Sequence, residues 1–328
     1  MLRYAILAFV ASAAVAIAAD PWIQSPGKGK KIVLVSGDEE YRSEEALPQL
    51  AKILNTHHDF DCTVLFAIDP KDGCIQPNVI DNIPGLEKLK DADLAIIFLR
   101  WRMLPDEQMK HLVDYIESGK PIVGLRTSTH AFKPGRKGEY AKYGSDGSKD
   151  YPGGFGKQVL GETWVDHHGQ HGQQGTRGIA AKGASDHPIL KGIKPGDIFG
   201  TTDVYTASPP ADSTILVLGE VTETLKADSK AIAGKKNDPM MPVAWIREYK
   251  AASDKKARVF TTTMGASQDL EFEGTRRLIV NGTFWSLGLE EKISDAAKVD
   301  LVGEFKPTAF RFKKNEDWKP GKTPADVK

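Results

Sequence analysis

Apolar and polar positions follow two different periods along this chain, and each change of period marks an element. Lys31 to Ser36 is a short apolar run that gives way to the polar stretch Gly37-Asp38-Glu39-Glu40-Tyr41-Arg42-Ser43, the pattern of a buried strand and its loop. From Ser43 to Asn55 the apolar residues Ala46, Leu50, Ile53 and Leu54 return at helical spacing. Asp61 to Ile68 reads as a second strand and Gly85 to Lys90 as a short helix. Asp93 to Leu99 is a third strand ending at Arg100-Trp101-Arg102. Pro105 opens a helix with Met109, Leu112, Val113 and Ile116 inward, Gly119 stops it, and Lys120 to Leu125 is a fourth strand. Near-continuous apolar strands separated by helices predict an α/β fold with a doubly wound, mostly parallel sheet.

The second half changes rhythm. Lys133 to Gly154 has no apolar period and reads as a surface insertion. Strands are expected at Thr176 to Ala181, Thr214 to Glu220, Pro242 to Tyr249 and Arg258 to Thr263, followed by a helix from Glu273 to Leu287 that turns Leu278, Ile279, Phe284 and Leu287 to the sheet. The sequence divides into residues 28–290, one elaborated domain, and residues 291–328, a loosely wrapping tail.

Composition narrows the partners. Forty-four basic and forty-four acidic residues cancel, so the overall charge offers nothing to nucleic acid or to an anionic membrane, and a neutral small molecule fits better. Arg3, the small and apolar run Ala5 to Ala19, and Asp20 immediately after it have the layout of a signal peptide over residues 1–19. That layout implies a periplasmic or secreted protein with no membrane span after cleavage. In such a compartment Cys62 and Cys74 could close a disulfide or stand as an unrelated strand and loop cysteine; the sequence leaves both open, and the oligomeric state as well.

Candidate chemistry gathers where parallel strands end. Lys120 to Leu125 runs straight into Arg126-Thr127-Ser128-Thr129-His130, and ligands bind at the carboxyl ends of strands in such sheets. The turn lacks the Gly-x-Ser-x-Gly spacing of a hydrolase elbow, which makes Ser128 a ligand contact rather than a nucleophile. Asp38, Glu39 and Tyr41 after the first strand, Arg100 and Trp101 after the third, and Asp203 and Tyr205 in a Thr-rich segment add carboxylates for hydroxyls and aromatic faces for apolar rings, a set that suits a sugar. Asp166-His167-His168 supplies the acid–base candidates, because imidazole is the side chain whose ordinary pKa of about 6.5 is poised for proton transfer near neutrality. Adjacent residues on a strand point apart, and Gly169 and Gly172 disfavour a helix that would align His167 with His171. A divalent metal would therefore need ligands from elsewhere, such as Asp166, His130 or Asp38, and no cofactor is firmly implied.

Taken together, Lys31-Ile-Val-Leu-Val-Ser-Gly37, Pro121-Ile-Val-Gly-Leu-Arg126 with His130, Gly161-Glu-Thr-Trp-Val-Asp-His-His-Gly169, Asp186-His-Pro-Ile-Leu-Lys-Gly-Ile193, Asp203-Val-Tyr205, Pro242-Val-Ala-Trp245, Arg258-Val-Phe260 and Asn281-Gly-Thr-Phe-Trp285 resemble the ThuA-like, or trehalose utilisation, family. The resemblance implies a flavodoxin-like fold of the class I glutamine amidotransferase type with surface insertions. Amidotransferases carry a nucleophilic cysteine where this chain has Arg126, so thiolate-dependent glutamine hydrolysis is excluded. Family members with Gly-His after the last strand differ from Gly265-Ala266 here. The resemblance implies a hydrolase, lyase or isomerase acting on disaccharide-derived or keto-type sugars through His167 or His168 and an acidic partner. The alternative is a sugar- or glycan-binding module without turnover. Arg126, at the nucleophile's position, is expected at the ligand edge as a donor or anion clamp.

Overall fold

The computed structural model describes residues 20–328; the expected signal peptide, residues 1–19, lies outside the described residues. Fifteen elements carry the fold in chain order: β1 (Trp22–Ser25), β2 (Lys31–Gly37), α1 (Ser43–His58), β3 (Asp61–Phe66), β4 (Leu94–Leu99), α2 (Asp106–Glu117), β5 (Ile122–Leu125), β6 (Gly147–Ser148), β7 (Tyr151–Pro152), β8 (Thr176–Ala180), β9 (Phe199–Gly200), β10 (Thr214–Val221), β11 (Met241–Lys250), β12 (Lys256–Thr262) and α3 (Glu273–Ser286). All but β6 and β7 among the strands join one sheet in the order β1-β3-β2-β4-β5-β12-β11-β10-β8-β9. The central run β3-β2-β4-β5-β12 is parallel throughout, and numbered by chain order it reads 2-1-3-4-5, the flavodoxin-like arrangement. Antiparallel strands extend it on both sides.

The chemistry of the strands explains their burial. Six of the seven β2 residues and all six of β4 are buried, as expected of parallel strands covered on both faces. One face packs Leu47, Leu50, Ile53 and Leu54 of α1 with Leu278 and Ile279 of α3, while the other takes Met109, Leu112 and Ile116 of α2 with Leu86 and Leu89. The expected short helix at 85–90 is a 3₁₀ turn, Leu86–Asp91. The expected insertion 133–154 holds the β6–β7 hairpin, and it is less superficial than its lack of period suggested. Tyr140 and Tyr143 are buried, and Arg136 reaches back to Asp106 at 2.8 Å. β1 has no counterpart in the sequence reading, because an edge strand of four residues offers too little alternation.

Two consequences position the site. The chain leaves β2 in opposite directions to reach β3 and β4, so the topological switch point lies between the carboxyl ends of β2 and β4, beside Asp38 and Arg100. In the antiparallel extension β8 starts, and β9 ends, at that same end of the sheet. The segments 166–171 and 201–205 therefore run side by side there, joined by His168 N–H and Gly169 N–H to the Val204 carbonyl and by Thr206 N–H to the Asp166 carbonyl.

Candidate active site

The loop after β2 folds around a buried carboxylate. Asp38 accepts the Glu40 N–H at 2.7 Å, the Tyr41 N–H and the Thr127 hydroxyl, which ties the acidic loop to the turn after β5. Burial and the neighbouring Glu39 charge push the Asp38 carboxyl up to about 6, against the lowering effect of the Thr127 and Tyr41 donors. Glu39 is engaged by Arg100 and Arg102 rather than facing a ligand. Glu40 accepts from Arg100 Nε at 3.2 Å and turns its other oxygen to His171.

The turn after β5 retains an elbow's backbone without an elbow's nucleophile. Arg126 has φ 41°, a left-handed conformation that L residues adopt at a cost, and Trp101 after β4 has φ 49°. The Arg126 side chain is fully buried, which corrects the expectation that it stands at the ligand edge. Its Nη1 donates to the carbonyls of Asp203 (2.8 Å) and Thr263 (2.7 Å), and its Nη2 donates to the Tyr41 hydroxyl and Asp203 Oδ1, both at 3.2 Å. The guanidinium lies 4.4 Å from the Tyr41 ring centroid and 3.9 Å from that of Tyr205. Ser128 also turns away from any ligand, since its hydroxyl donates to the Ile97 carbonyl inside the sheet.

Asp203 joins this buried cation to the histidines. Its Oδ2 lies 2.6 Å from His167 Nδ1, and its Oδ1 lies 3.2 Å from His171 Nδ1; His171 Nε2 in turn lies 3.2 Å from Glu40. The two imidazole centroids are 4.5 Å apart. The absence of a helix over Gly169 and Gly172 is as expected, but the inference that His167 and His171 would therefore not come together is corrected. An irregular turn, not a helix, brings them together, and Gly169 permits it, because a Cβ there would come within 3.0 Å of Asp203 Cβ and 3.2 Å of the Val204 nitrogen. Burial alone would raise the Asp203 carboxyl, but the hydrogen bonds from His167 and His171 and the Arg126 charge outweigh it and hold Asp203 well below the usual carboxylate range. With Asp203 ionised, the His167 bond places the proton on Nδ1 and leaves Nε2 its lone pair.

The remaining expected residues divide sharply. His168 Nε2 faces the Lys236 carbonyl at 2.8 Å, outside the His167 cluster. Asp166 is exposed and accepts its own neighbour's backbone, the His167 N–H, at 2.8 Å; the carboxylate that orients the His167 ring is Asp203. His130 sits against Trp101 (4.7 Å between centroids), Trp164 (5.1 Å) and Tyr205 (6.3 Å), where burial and then the charges of Arg100 and Arg126 hold it well below its ordinary pKa and therefore neutral. Sequence reasoning missed His171 as a site residue, read Glu40 only as one carboxylate of the acidic loop after the first strand, and took Trp164 no further than its place in the Gly161–Gly169 motif. Its pairing of clustered histidines with strand-end carboxylates was the signal that could have found them. It also missed Phe310 of the tail, which stacks on Tyr41 at 5.2 Å and meets His171 edge-on at 5.2 Å. The cluster opens to solvent through His167 and His171. Separate cavities of about 270 Å³ under Ile179, Leu190 and Ile198, and about 160 Å³ between Glu44 and Trp318, contain none of its residues.

His171 has a testable signature. Hydrogen bonds to Asp203 and Glu40, partly opposed by burial, push its imidazole up to about 9. A folded pKa above the unfolded value of about 6.5 adds stability that is complete below that value and is lost as pH rises through the folded pKa. In metal-free protein, NMR should find one imidazole titrating near 9. Between about pH 7 and about pH 10 the melting temperature should fall further in the parent than in His171→Gln; equal falls would remove His171 from the carboxylate cluster.

The same side chains could hold a divalent cation. His167, His171 and Asp203 offer ligand atoms within 4.8 Å of one another, and two imidazoles with a carboxylate are a donor set suited to zinc and similar metals. A cation there would displace the His171 proton and the His167–Asp203 bond.

A family model described as ThuA, trehalose utilisation, matches residues 31–286. A ThuA-like protein from Parabacteroides merdae is 14% identical, with 88% of this chain and 100% of that chain covered at a TM-score of 0.48. One from Bacteroides uniformis is 17% identical, with 80% and 92% covered at a TM-score of 0.44. No curated protein matches the chain. The chain belongs to the ThuA family.

Proposed function

We propose that this ThuA-family chain is an exported enzyme that processes disaccharide-derived or keto-type sugars by acid–base chemistry, with His167 as the base. The observation that carries the reading is the His167–Asp203 pair, in which a buried ionised carboxylate fixes the ring and leaves Nε2 without a hydrogen bond among the described residues. A carbon-bound proton beside a sugar carbonyl is acidic enough for such a base. Nε2 takes the proton, the C–H electron pair moves to form the enolate, and the negative charge arrives on the former carbonyl oxygen. His171, protonated between Asp203 and Glu40, supplies positive charge beside that event. Trp101 and Trp164, packed on the buried and neutral His130, offer apolar surface for the sugar ring. Enolate formation opens isomerisation and elimination equally.

The test is a panel of trehalose, other disaccharides and their keto derivatives, incubated with parent and His167→Gln protein, each with chelator and with added zinc, and followed by mass spectrometry and by melting temperature. Turnover by the parent and its loss in the variant supports the enzyme. Melting shifts without turnover would make the chain a sugar-binding module, and neither response from any sugar would overturn the carbohydrate reading.

A further inference from the structure

The tail beyond the family match is built into the mouth of the site. Thr308 donates through N–H and hydroxyl to Glu45 (2.7 and 2.6 Å), Arg311 N–H donates to the Glu40 carbonyl (2.9 Å), and Asn78 donates to the Lys313 carbonyl (2.9 Å). The segment between these anchors carries two aromatics with different fates. Phe310 turns in, against Tyr41 and His171. Phe312 turns out and is 58% exposed; with Val165 at 65%, next to Trp164, it is one of two large apolar side chains left exposed among the described residues, and both flank this site.

One face of the Phe312 ring is held. The Arg100 guanidinium lies 4.8 Å from its centroid, and Arg100 is itself fixed by Glu39 and by Glu40, the carboxylate that holds His171. An aromatic ring backed by an immobilised cation, with its other face in water, is a prepared stacking surface. Its place is equally defined. Two residues of chain span at most about 7 Å, so the backbone carrying Phe312 stays close to that of Phe310, and Arg100 links the Phe312 ring to Glu40, the carboxylate that holds His171.

We propose that Phe312 is a specificity-determining platform for the second ring of a disaccharide-sized ligand whose first ring lies against His167, Trp101 and Trp164. This rests on the carbohydrate reading above, and it names the size of ligand that the site selects. The family match ends at residue 286, so the platform is supplied by chain that lies outside the matched region.

Isothermal titration of parent, Phe312→Ala and Phe312→Trp with trehalose and with glucose, each in native and mono-oxidised keto form, decides it. Stacking of this kind is worth up to about tenfold in affinity. Phe312→Ala should weaken the better-bound disaccharide by about that factor and leave the matching monosaccharide within about twofold, and Phe312→Trp should restore disaccharide binding. Equal losses on both sugars, or no loss on either, would overturn the platform while leaving the carbohydrate reading intact. A parent protein that binds none of the four sugars would overturn both.

Discussion

Replacing His167 by Gln is expected to lower turnover of a confirmed keto-sugar substrate by roughly two to four orders of magnitude while its binding largely survives. The amide of Gln can still accept or donate a hydrogen bond near Asp203, so the pocket keeps its polarity, but it has no basic lone pair to take a carbon-bound proton. Asp203→Asn should approach the same loss by a different route. The carboxylate fixes the proton on His167 Nδ1 at 2.6 Å and also holds His171, and an amide can satisfy neither ring in the same way. Because the two act as one unit, the double variant should be scarcely slower than the worse single variant. His168→Gln is the internal control. Its ring faces the Lys236 carbonyl and should not matter to turnover. Steady-state kinetics on the four proteins would separate these cases, and near-parental rates in both His167→Gln and Asp203→Asn would remove the base from the mechanism.

What could be read in the sequence follows the physics of each signal. The parallel strands and their helices were legible, because burial on both faces leaves near-continuous apolar runs and covering helices leave a 3.6 period, as Ile32 to Val35 and Met109 to Ile116 illustrate. The strand-end loops were legible for the same reason, which is why Asp38, Trp101, Arg126 and His130 converge at one edge of the sheet. The partners inside that edge were not legible. Asp203 lies 36 positions from His167, and nothing local ties them; the pairing exists because β8 and β9 are antiparallel neighbours. Nor does a local rule foretell that Gly169 lets a turn do what a helix would have done for His167 and His171. The tail was opaque because it has no period at all. Its contacts are scattered hydrogen bonds, an ion pair from Lys319 to Asp72 and isolated apolar side chains such as Val299, Leu301, Phe305 and Phe310, placed by a scaffold that the tail's own sequence does not encode.

Arg126→Ala should destabilise the protein by about 3–5 kcal/mol, the usual cost of removing one partner of a buried ion pair. The Arg126 and Asp203 side chains have no exposed surface, and the guanidinium also satisfies the Asp203 and Thr263 carbonyls, so its loss takes the buried cation from the Asp203 carboxylate, leaving that carboxylate only His167 and His171, and strands two backbone acceptors away from water. For a chain of this size that corresponds to a fall in melting temperature of roughly 5–15 °C. Arg126→Lys should recover part of the loss, keeping the charge but not the four-way donation or the planar fit between Tyr41 and Tyr205. The decisive comparison is a cycle with Asp203→Asn. Once the buried carboxylate is neutral, Arg126→Ala has less charge to strand and should cost measurably less than in the parent. Additive losses would mean that Arg126 acts independently of Asp203. A stable Arg126→Ala protein with lost ligand affinity would return the residue to the ligand edge that its position after β5 first suggested.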